Sequence, residues 1–245
     1  MKILAVIPAR YASTRFPGKP LAIIQGKSMI QRVYEQAQKC KALNAVVVAT
    51  DDLRIEQVVK QFNGRVVMTS DSHQSGTERC AEVAATIEYD FDVVINVQGD
   101  EPFIHPGQIA LLANCFMQET TDIATLVKRI TAESELSNPN TVKIVLDEHG
   151  KALYFSRSTI PFQRNTPLDQ WLRDGLFYKH IGIYGYRKNI LQEIVKLPPN
   201  KLELAESLEQ LRWLANGYRI QTAITEQETT SIDTPEDLSR VNQLT

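Results

Sequence analysis

Apolar runs of strand length alternate with segments of helical period, and this alternation most constrains the fold. Runs rich in Val, Ile and Ala occupy residues 3–7, 45–50, 65–69 and 92–98. Between them, apolar residues recur every three or four positions, which indicates amphipathic helices at 29–40, 55–62 and 78–88. Continuous β-branched runs suit strands covered on both faces, and a strand, helix, strand succession implies a mostly parallel sheet. The first half is therefore predicted to be α/β.

The second half has the spacing of hairpins. Apolar segments at 123–130, 141–147 and 152–156 follow one another closely, with a "DEHG" turn between the last two. This spacing predicts antiparallel strands added to the edge of the sheet. The remaining predictions are a polar loop at 163–174, a strand at 180–186, a single helix at 202–217, a strand at 218–224 and a last helix opened by "DTPED".

Composition predicts one globular domain, residues 1–245, with 43% hydrophobic and 23% charged residues. The 27 basic and 29 acidic residues give no overall positive field, so no nucleic acid partner is expected. The first apolar run ends at Pro8 and is too short for a signal sequence, and no stretch has the length of a membrane span. We therefore expect a cytoplasmic protein without membrane insertion.

Cysteine and histidine spacing points away from metal and disulfide chemistry. Cys40, Cys80 and Cys115 form no CxxC pair and occupy apolar positions of predicted helices, which favours reduced, buried thiols. The four histidines are not spaced for a shared metal on a helix. No zinc site is predicted.

The loop after the first strand, "PARYASTRFPGKP", carries three cations and no carboxylate. The spacing of its glycines and cations matches neither of the two common phosphate-binding loop motifs, GxGxxG and GxxxxGKS. Small residues such as Ser13 allow backbone N–H groups to approach a ligand, and Arg10, Arg15 and Lys19 could oppose a triphosphate. The alternative is a solvated basic surface loop.

Two carboxylates follow strands at the edge where an open parallel sheet binds ligands. Asp100 lies in "QGDEP", and Asp233 lies in "SIDTPEDL". Mg²⁺ prefers one or two carboxylates together with phosphate oxygens and water, so the pair could hold it beside an anionic ligand. Alternatively, Asp100 is a turn residue, and Asp233 or Thr234 caps the helix that begins at Pro235.

The segment "HQSGTER" places Ser75 and Gly76 at a predicted helix start. As a helix N-cap, Ser75 needs no ligand. Because the segment follows a strand of the same sheet, it could instead meet the edge of a nucleotide base.

The motifs together resemble the 3-deoxy-manno-octulosonate (Kdo) cytidylyltransferase family. They are, in order, "IPARYASTRFPGKPL", "HQSGTER", "NVQGDEP", "ALYFSR", "KHIGIYGY", "LEQLR" and "IDTPEDL". The resemblance implies a Rossmann-like nucleotide-diphospho-sugar transferase fold, α/β, with a mostly parallel mixed sheet and an antiparallel insertion at about 122–187 used in homodimerisation. It implies transfer of CMP from CTP to Kdo, with release of pyrophosphate, for lipopolysaccharide synthesis.

The resemblance also assigns roles to individual residues. The implied triphosphate ligands are Arg10, Ser13, Arg15 and Lys19, and the implied surroundings of cytidine are Ala9, Ser75, Gly76 and Arg79. Gln98 is expected where nucleotide and sugar meet. The implied Mg²⁺ ligands are Asp100 and Asp233, which with Arg10 and Lys19 form the expected catalytic set. The candidates for the acidic keto-sugar are Arg157 on its carboxylate, His180, Tyr184, and Glu209 or Gln210.

Each sugar candidate has a structural alternative. Arg157 could be a solvated strand end, His180 a buried histidine bonded to a backbone carbonyl, and Tyr184 a core residue. Glu209 could pair with Arg212 on a helix surface.

The chain departs from the family pattern in three places. Phe16 replaces an expected leucine, "TEQETTS" lacks an expected glycine before Asp233, and the loop at 163–178 is short. The 8-amino analogue of Kdo therefore stays open as the substrate. Another acidic sugar, as in sialic acid synthetases, is a second alternative, although those enzymes usually show a Lys-Asn pair where this chain has "GKPL". A non-catalytic nucleotide-binding module is the alternative from a different class.

Overall fold

The structure, a computed structural model, describes residues 1–12, 16–88, 90–228 and 231–243. The strands in these ranges are β1 (Ile3–Ala9), β2 (Ile23–Ile24), β3 (Lys27–Ser28), β4 (Ala45–Thr50), β5 (Val66–Met68), β6 (Val93–Asn96), β7 (Ile123–Arg129), β8 (Lys143–Leu146), β9 (Ala152–Ser156), β10 (Tyr178–Arg187) and β11 (Ile220–Ile224). The helices there are α1 (Met29–Gln38), α2 (Leu53–Gln61), α3 (Gly76–Thr86), α4 (Pro106–Asn114), α5 (Glu133–Ser137), α6 (Lys188–Ile194), α7 (Lys201–Glu206), α8 (Gln210–Ala215) and α9 (Pro235–Gln243).

The main sheet has the strand order β11-β7-β10-β6-β1-β4-β5. Strands β6, β1, β4 and β5 are parallel, as their continuous apolar runs predict. Strand β10 runs antiparallel to both β6 and β7, whereas β11 is parallel to β7. The predicted α/β fold with a mostly parallel mixed sheet is confirmed.

The predicted position of β7 at the sheet edge is wrong. This strand lies between β10 and β11, and its first five residues are buried. The apolar run of β7 predicts that both of its faces are covered, but it does not show which strands pair with its edges. Strand β11, from much later in the chain, pairs along its outer edge. The β8–β9 hairpin lies off the main path, where β8 pairs with the start of β10, and β2 and β3 form a separate two-stranded sheet.

The single helix predicted over 202–217 is two helices, α7 and α8. Between them Ser207 has a left-handed backbone with φ of +52°, and its N–H donates to the Glu203 carbonyl. The break turns Leu204 outward, where it is 69% exposed, although the periodicity placed it on the buried face. It also directs Glu206 onto β9, where the carboxylate accepts hydrogen bonds from Ser156 Oγ (2.6 Å) and the backbone N–H of Arg157 (2.8 Å).

Helices cover both faces of the sheet. Side chains of β1 alternate between the two sides: Ile3, Ala5 and Ile7 pack with α1, α2 and α4, whereas Leu4 and Val6 pack with α3, α6 and α8. This period of two is expected for a strand with apolar layers on both faces. The carboxyl ends of β1 and β6 are thereby held side by side at one edge of the sheet.

The cysteines are free thiols, as predicted, although only two are fully buried. Cys40 and Cys80 lie in the core, and Cys115 is partly buried in a short 3-10 helix after α4. Among the residues that the structure describes, every helix is too short or too polar to cross a bilayer.

Candidate active site

A cleft of about 260 Å³ lies at the carboxyl ends of β1 and β6, beside the first turn of α3. The residues predicted from the sequence that line it are Ala9, Arg10, Lys19, Ser75, Gly76, Arg79, Gln98, Asp100 and Asp233. The lining also includes Pro8, Pro20, His73, Gln74 and Gly99, which the sequence reasoning did not single out. Their positions carried a usable signal, because Pro8, Pro20, Gln74 and Gly99 each adjoin a predicted site residue and His73 begins the motif "HQSGTER".

The loop after β1 folds back through a tight turn that places Lys19 in the cleft. The N–H of Gly18, which has φ of +72°, donates to the Tyr11 carbonyl (2.9 Å). The Arg54 guanidinium carbon lies 3.3 Å from the centre of the Tyr11 ring, and this cation–π contact stabilises the position of Tyr11. Ser13 and Arg15 fall outside the described residues, so their predicted roles stay predictions.

Lys19 lies between the two predicted metal-binding carboxylates. Its Nζ is 2.7 Å from Asp100 Oδ2 and 3.2 Å from Asp233 Oδ1. The Lys19 side chain is only 15% exposed, whereas the two carboxylates are 29% and 36% exposed. Two carboxylate oxygens from distant parts of the chain therefore converge on one positive charge.

Backbone contacts fix both carboxylates. The N–H of Ile232 donates to the Asp100 carbonyl (3.0 Å), which joins the two segments directly. At the start of α9, the Asp237 carboxylate accepts hydrogen bonds from the N–H groups of Asp233 (3.1 Å) and Thr234 (3.0 Å). Thr234 Oγ1 in turn accepts from the N–H of Asp237, so Thr234 is the helix cap, as the alternative reading of the motif proposed. Thr234 therefore caps α9 while Asp233 still directs its carboxylate to Lys19.

A partly buried carboxylate, that of Glu209, contacts the first turn of α3 beside the cleft. Glu209 accepts hydrogen bonds from Ser75 Oγ (3.1 Å) and Thr77 Oγ1 (2.8 Å). Burial raises the pKa of the Glu209 carboxyl above its usual range, and the two hydroxyl donors oppose that shift. Arg212 binds Glu203 at 2.5 Å and 2.7 Å, so it is not the surface partner of Glu209 that one alternative proposed.

Arg79 borders the cleft with its guanidinium already paired. Its Nη2 donates to Asp51 Oδ2 at 2.9 Å, and its Nη1 donates to Thr69 Oγ1. Only 3% of Arg79 is exposed. The geometry therefore makes Arg79 a fixed part of the wall beside α3.

Glu209 and the sugar candidates Arg157, His180, Tyr184 and Gln210 lie outside the lining of this cleft. Arg157 donates to the carbonyls of Glu206 (2.7 Å) and Pro139 (3.1 Å), so it is tied to backbone rather than solvated. Tyr184 is 7% exposed, and Gln210 is 5% exposed at the first turn of α8. Their assignment to a sugar site stays a prediction.

His180 is partly buried, and its Nε2 lies 3.0 Å from Thr125 Oγ1 rather than against a backbone carbonyl. Burial lowers the pKa of His180 to about 3, so the ring is neutral near pH 7. Its ring centroid lies 5.1 Å from that of Tyr184. These two sugar candidates are therefore neighbours in β10.

The carboxylate pair suits a divalent cation. In the described part of the chain no group of three His, Cys, Asp or Glu side chains is arranged for a metal. Asp100 and Asp233 nevertheless direct one oxygen each to a common cationic point, the Lys19 ammonium. Two carboxylates completed by phosphate oxygens and water are the donor set that Mg²⁺ prefers, so these residues fit that ion.

Comparison with known proteins identifies the family. The family model described as cytidylyltransferase matches residues 4–222. A 3-deoxy-manno-octulosonate cytidylyltransferase of Parabacteroides distasonis is 58% identical over 244 residues, which cover 98% of this chain and 96% of the relative. The structure of CMP:2-keto-3-deoxy-manno-octonic acid synthetase complexed with CTP matches with a TM-score of 0.91 and 44% identity, over 100% of this chain and 98% of that one. A 4-diphosphocytidyl-2C-methyl-D-erythritol synthase from Anaerococcus prevotii, 14% identical with a TM-score of 0.64 over 99% of this chain and 98% of that one, shares the fold. This chain belongs to the 3-deoxy-manno-octulosonate cytidylyltransferase family.

Proposed function

We propose that this protein transfers CMP from CTP to the anomeric 2-hydroxyl of Kdo and releases pyrophosphate. The observation that carries the proposal is the convergence of Lys19, Asp100 and Asp233 in a cleft that also contains Arg10 and the first turn of α3. Cations and N–H groups suit a triphosphate, and the carboxylates suit the metal that accompanies one. The family match supports CTP and Kdo as the substrates.

The reaction is an in-line displacement at the α-phosphorus. A bond forms between the sugar 2-hydroxyl oxygen and the α-phosphorus, the bond to the bridging oxygen breaks, and pyrophosphate leaves with that oxygen. The hydroxyl proton passes to solvent. Arg10 and Lys19 would neutralise the phosphate charge and orient the leaving group, and Gln98 would lie where the sugar meets the nucleotide. Catalysis rests on positioning and charge neutralisation.

We propose that Asp100 and Asp233 hold Mg²⁺ when CTP is bound. The ion would supply charge neutralisation at the phosphates and lower the pKa of the attacking hydroxyl. Lys19 would then leave the carboxylates for a phosphate oxygen. The convergence of both carboxylates on the Lys19 ammonium supports this exchange.

We also propose that the protein is a cytoplasmic homodimer that supplies lipopolysaccharide synthesis. The free cysteines suit a reducing compartment. Among the described residues, four large apolar side chains of the insertion at about 122–187 are exposed: Leu153 (58%), Phe162 (75%), Leu168 (68%) and Leu176 (47%). A second copy that covers them would remove this apolar surface from water.

The test is pyrophosphate release from CTP with Mg²⁺ and a panel of sugar acids. The panel contains Kdo, its 8-amino analogue and a sialic acid. We expect release with Kdo and its loss when EDTA removes the metal. If pyrophosphate were released only with the 8-amino compound or only with the sialic acid, that compound would be the substrate instead of Kdo. CTP binding without release with any acid would favour a non-catalytic module.

A further inference from the structure

A β-bulge in β10 adjoins the cleft. Ile181 pairs with Leu126 and Tyr184 pairs with Thr125, so residues 182 and 183 have no partner in β7. The carbonyl of Gly182 accepts a hydrogen bond from Nε2 of Gln98 (2.8 Å), a residue of the cleft lining. Apart from Gly182 and its two chain neighbours, no heavy atom of the described residues lies within 4 Å of the place where a Cβ on Gly182 would stand. The bulge therefore borders open space next to the cleft, a common setting for bulges.

The hydroxyl of Thr125 holds this bulge from the neighbouring strand. Thr125 is fully buried in β7. Its Oγ1 lies 2.7 Å from the Ile183 carbonyl, 3.2 Å from the Ile181 carbonyl and 3.0 Å from Nε2 of His180. Thr125 Oγ1 therefore contacts two backbone carbonyls at the bulge and the ring of His180, one of the sugar candidates.

The proton count at this oxygen determines the tautomer of His180. A threonine hydroxyl has one proton, and a carbonyl can only accept. If His180 Nε2 accepted that proton, both carbonyls would face an oxygen that has nothing to donate to them. The arrangement is satisfied when Thr125 donates to a carbonyl and His180 Nε2–H donates to Thr125. Nδ1 is then the unprotonated acceptor of a neutral ring.

We propose that Thr125 is a positioning residue, which fixes the β10 bulge and holds His180 as its Nε2–H tautomer so that Nδ1 can accept a hydrogen bond from a substrate hydroxyl. The substrate part of this proposal rests on the proposed function. The tautomer part rests only on the contacts of Thr125. In this arrangement Thr125 acts on the sugar through His180 and touches no substrate itself.

The chain offers matched variants for a test. Thr125→Val keeps the shape and removes the hydroxyl, and Thr125→Ser keeps the hydroxyl. Thr222→Val is the control, because Thr222 pairs with Thr125 in the adjacent strand β11 and donates to a different carbonyl, that of Gly150, at 2.7 Å. Nitrogen-15 NMR of histidine-labelled full-length protein reports which ring nitrogen carries the proton, and His180→Gln assigns the signal.

We expect the Nε2–H tautomer of His180 in the wild type, in Thr125→Ser and in Thr222→Val, and a mixture of tautomers in Thr125→Val. The KM for Kdo should rise about tenfold in Thr125→Val, the factor for one hydrogen bond of about 1.4 kcal/mol. The Kd for CTP should stay unchanged.

A proton on Nδ1 in the wild type, or an unchanged tautomer and sugar KM in Thr125→Val, would overturn the proposal. Should Thr125→Val not fold, the wild-type tautomer and the kinetics of Thr125→Ser still decide it. If the wild type turns over no sugar acid, the proposed function fails, whereas the tautomer measurement still decides whether Thr125 holds the His180 ring.

Discussion

Asp100 and Asp233 would repel one another across the cleft if no cation lay between them, and Lys19 supplies that charge in the ligand-free protein. Removing one charge from such a triad leaves the others uncompensated. Lys19 therefore has two roles that can be separated by experiment. It competes with a metal for the carboxylates, and it neutralises phosphate once nucleotide is bound.

Lys19→Met should strengthen metal binding by the nucleotide-free protein while lowering turnover. Two unit charges 4 Å apart interact by about 1 kcal/mol in bulk water, so loss of the ammonium should tighten Mn²⁺ binding at least about fivefold. Calorimetric titration with Mn²⁺ measures this effect without any reaction. Lys27→Met, which removes an ion pair with Glu35 outside the cleft, is the control. Weaker Mn²⁺ binding by Lys19→Met would contradict the competition.

Asp100→Asn should abolish most turnover while leaving CTP affinity within about threefold. The amide keeps the size of the side chain but removes the charge that would hold the metal, so we expect a loss of about a hundredfold or more, about 2.7 kcal/mol of transition-state stabilisation. Pyrophosphate release and equilibrium CTP binding measure the two quantities. Asp90→Asn, on an 87% exposed side chain, is the control. Unchanged release by Asp100→Asn would rule out a metal role for this carboxylate.

At the residue scale, the sequence predicted where charged side chains of the site lie better than it predicted the long-range hydrogen bonds of polar side chains. Asp100 and Asp233 could be paired because both follow strands at one edge of the sheet. Thr125 could not be found, because it lies in the apolar run "IATLV" and its partners are 55 to 58 residues away, across a bulge that no local pattern indicates. The sequence places Arg157 at a sugar carboxylate, which stays a prediction, but it gave no sign of the hydrogen bonds that Arg157 donates to the carbonyls of Glu206 and Pro139.

At the scale of elements, the break between α7 and α8 shows why periodicity misled. The segment 202–217 has no Gly or Pro before its last residues, so local propensity favours one helix. Tertiary contacts override this preference, because Glu206 binds Ser156 on β9 while Glu209 binds Ser75 at α3. A continuous helix puts positions three apart on nearly the same face, and the left-handed Ser207 lets the two carboxylates point to different elements.

The turn after β6 depends on a close approach between elements. A Cβ added to Gly99 would lie 2.7 Å from the Pro8 carbonyl oxygen at the end of β1. Gly99→Ala should therefore displace the turn that carries Asp100, with a loss of about 1 to 3 kcal/mol in the free energy of unfolding and a fall in turnover. Urea unfolding and pyrophosphate release measure both. Gly182→Ala, where the added Cβ meets open space, should leave the stability unchanged. Equal stability of both variants would contradict the close approach.

At the scale of the whole molecule, the exposed apolar side chains of the insertion predict a dimer. Phe162 and Leu168 are 75% and 68% exposed. We expect the wild type to sediment as a dimer and the double variant Phe162→Ser, Leu168→Ser to sediment as a monomer. Leu53→Ser removes a similarly exposed leucine (64%) from α2, outside the insertion, and should stay dimeric. A monomeric wild type, or a double variant that stays dimeric, would contradict dimerisation through these side chains.

The partly buried His180 should make the stability of the whole protein fall with acid. Its pKa is lowered to about 3 in the folded chain, against an ordinary value of 6.5. The unfolded chain therefore binds the proton more readily, and the contribution of His180 is present above pH 6.5 and is lost as the pH falls toward 3. Between pH 7 and pH 5 the loss should be about 2 kcal/mol.

His180→Gln removes this titration while the other groups still titrate. Urea unfolding at pH 7 and pH 5 should therefore give a decrease in the free energy of unfolding that is about 2 kcal/mol smaller in the variant than in the wild type. Equal decreases in both proteins would mean that His180 has nearly the same proton affinity in the folded and unfolded chains. In that case the ring would not be shielded from water by Phe155 and Tyr184, whose rings lie 5.3 Å and 5.1 Å from it.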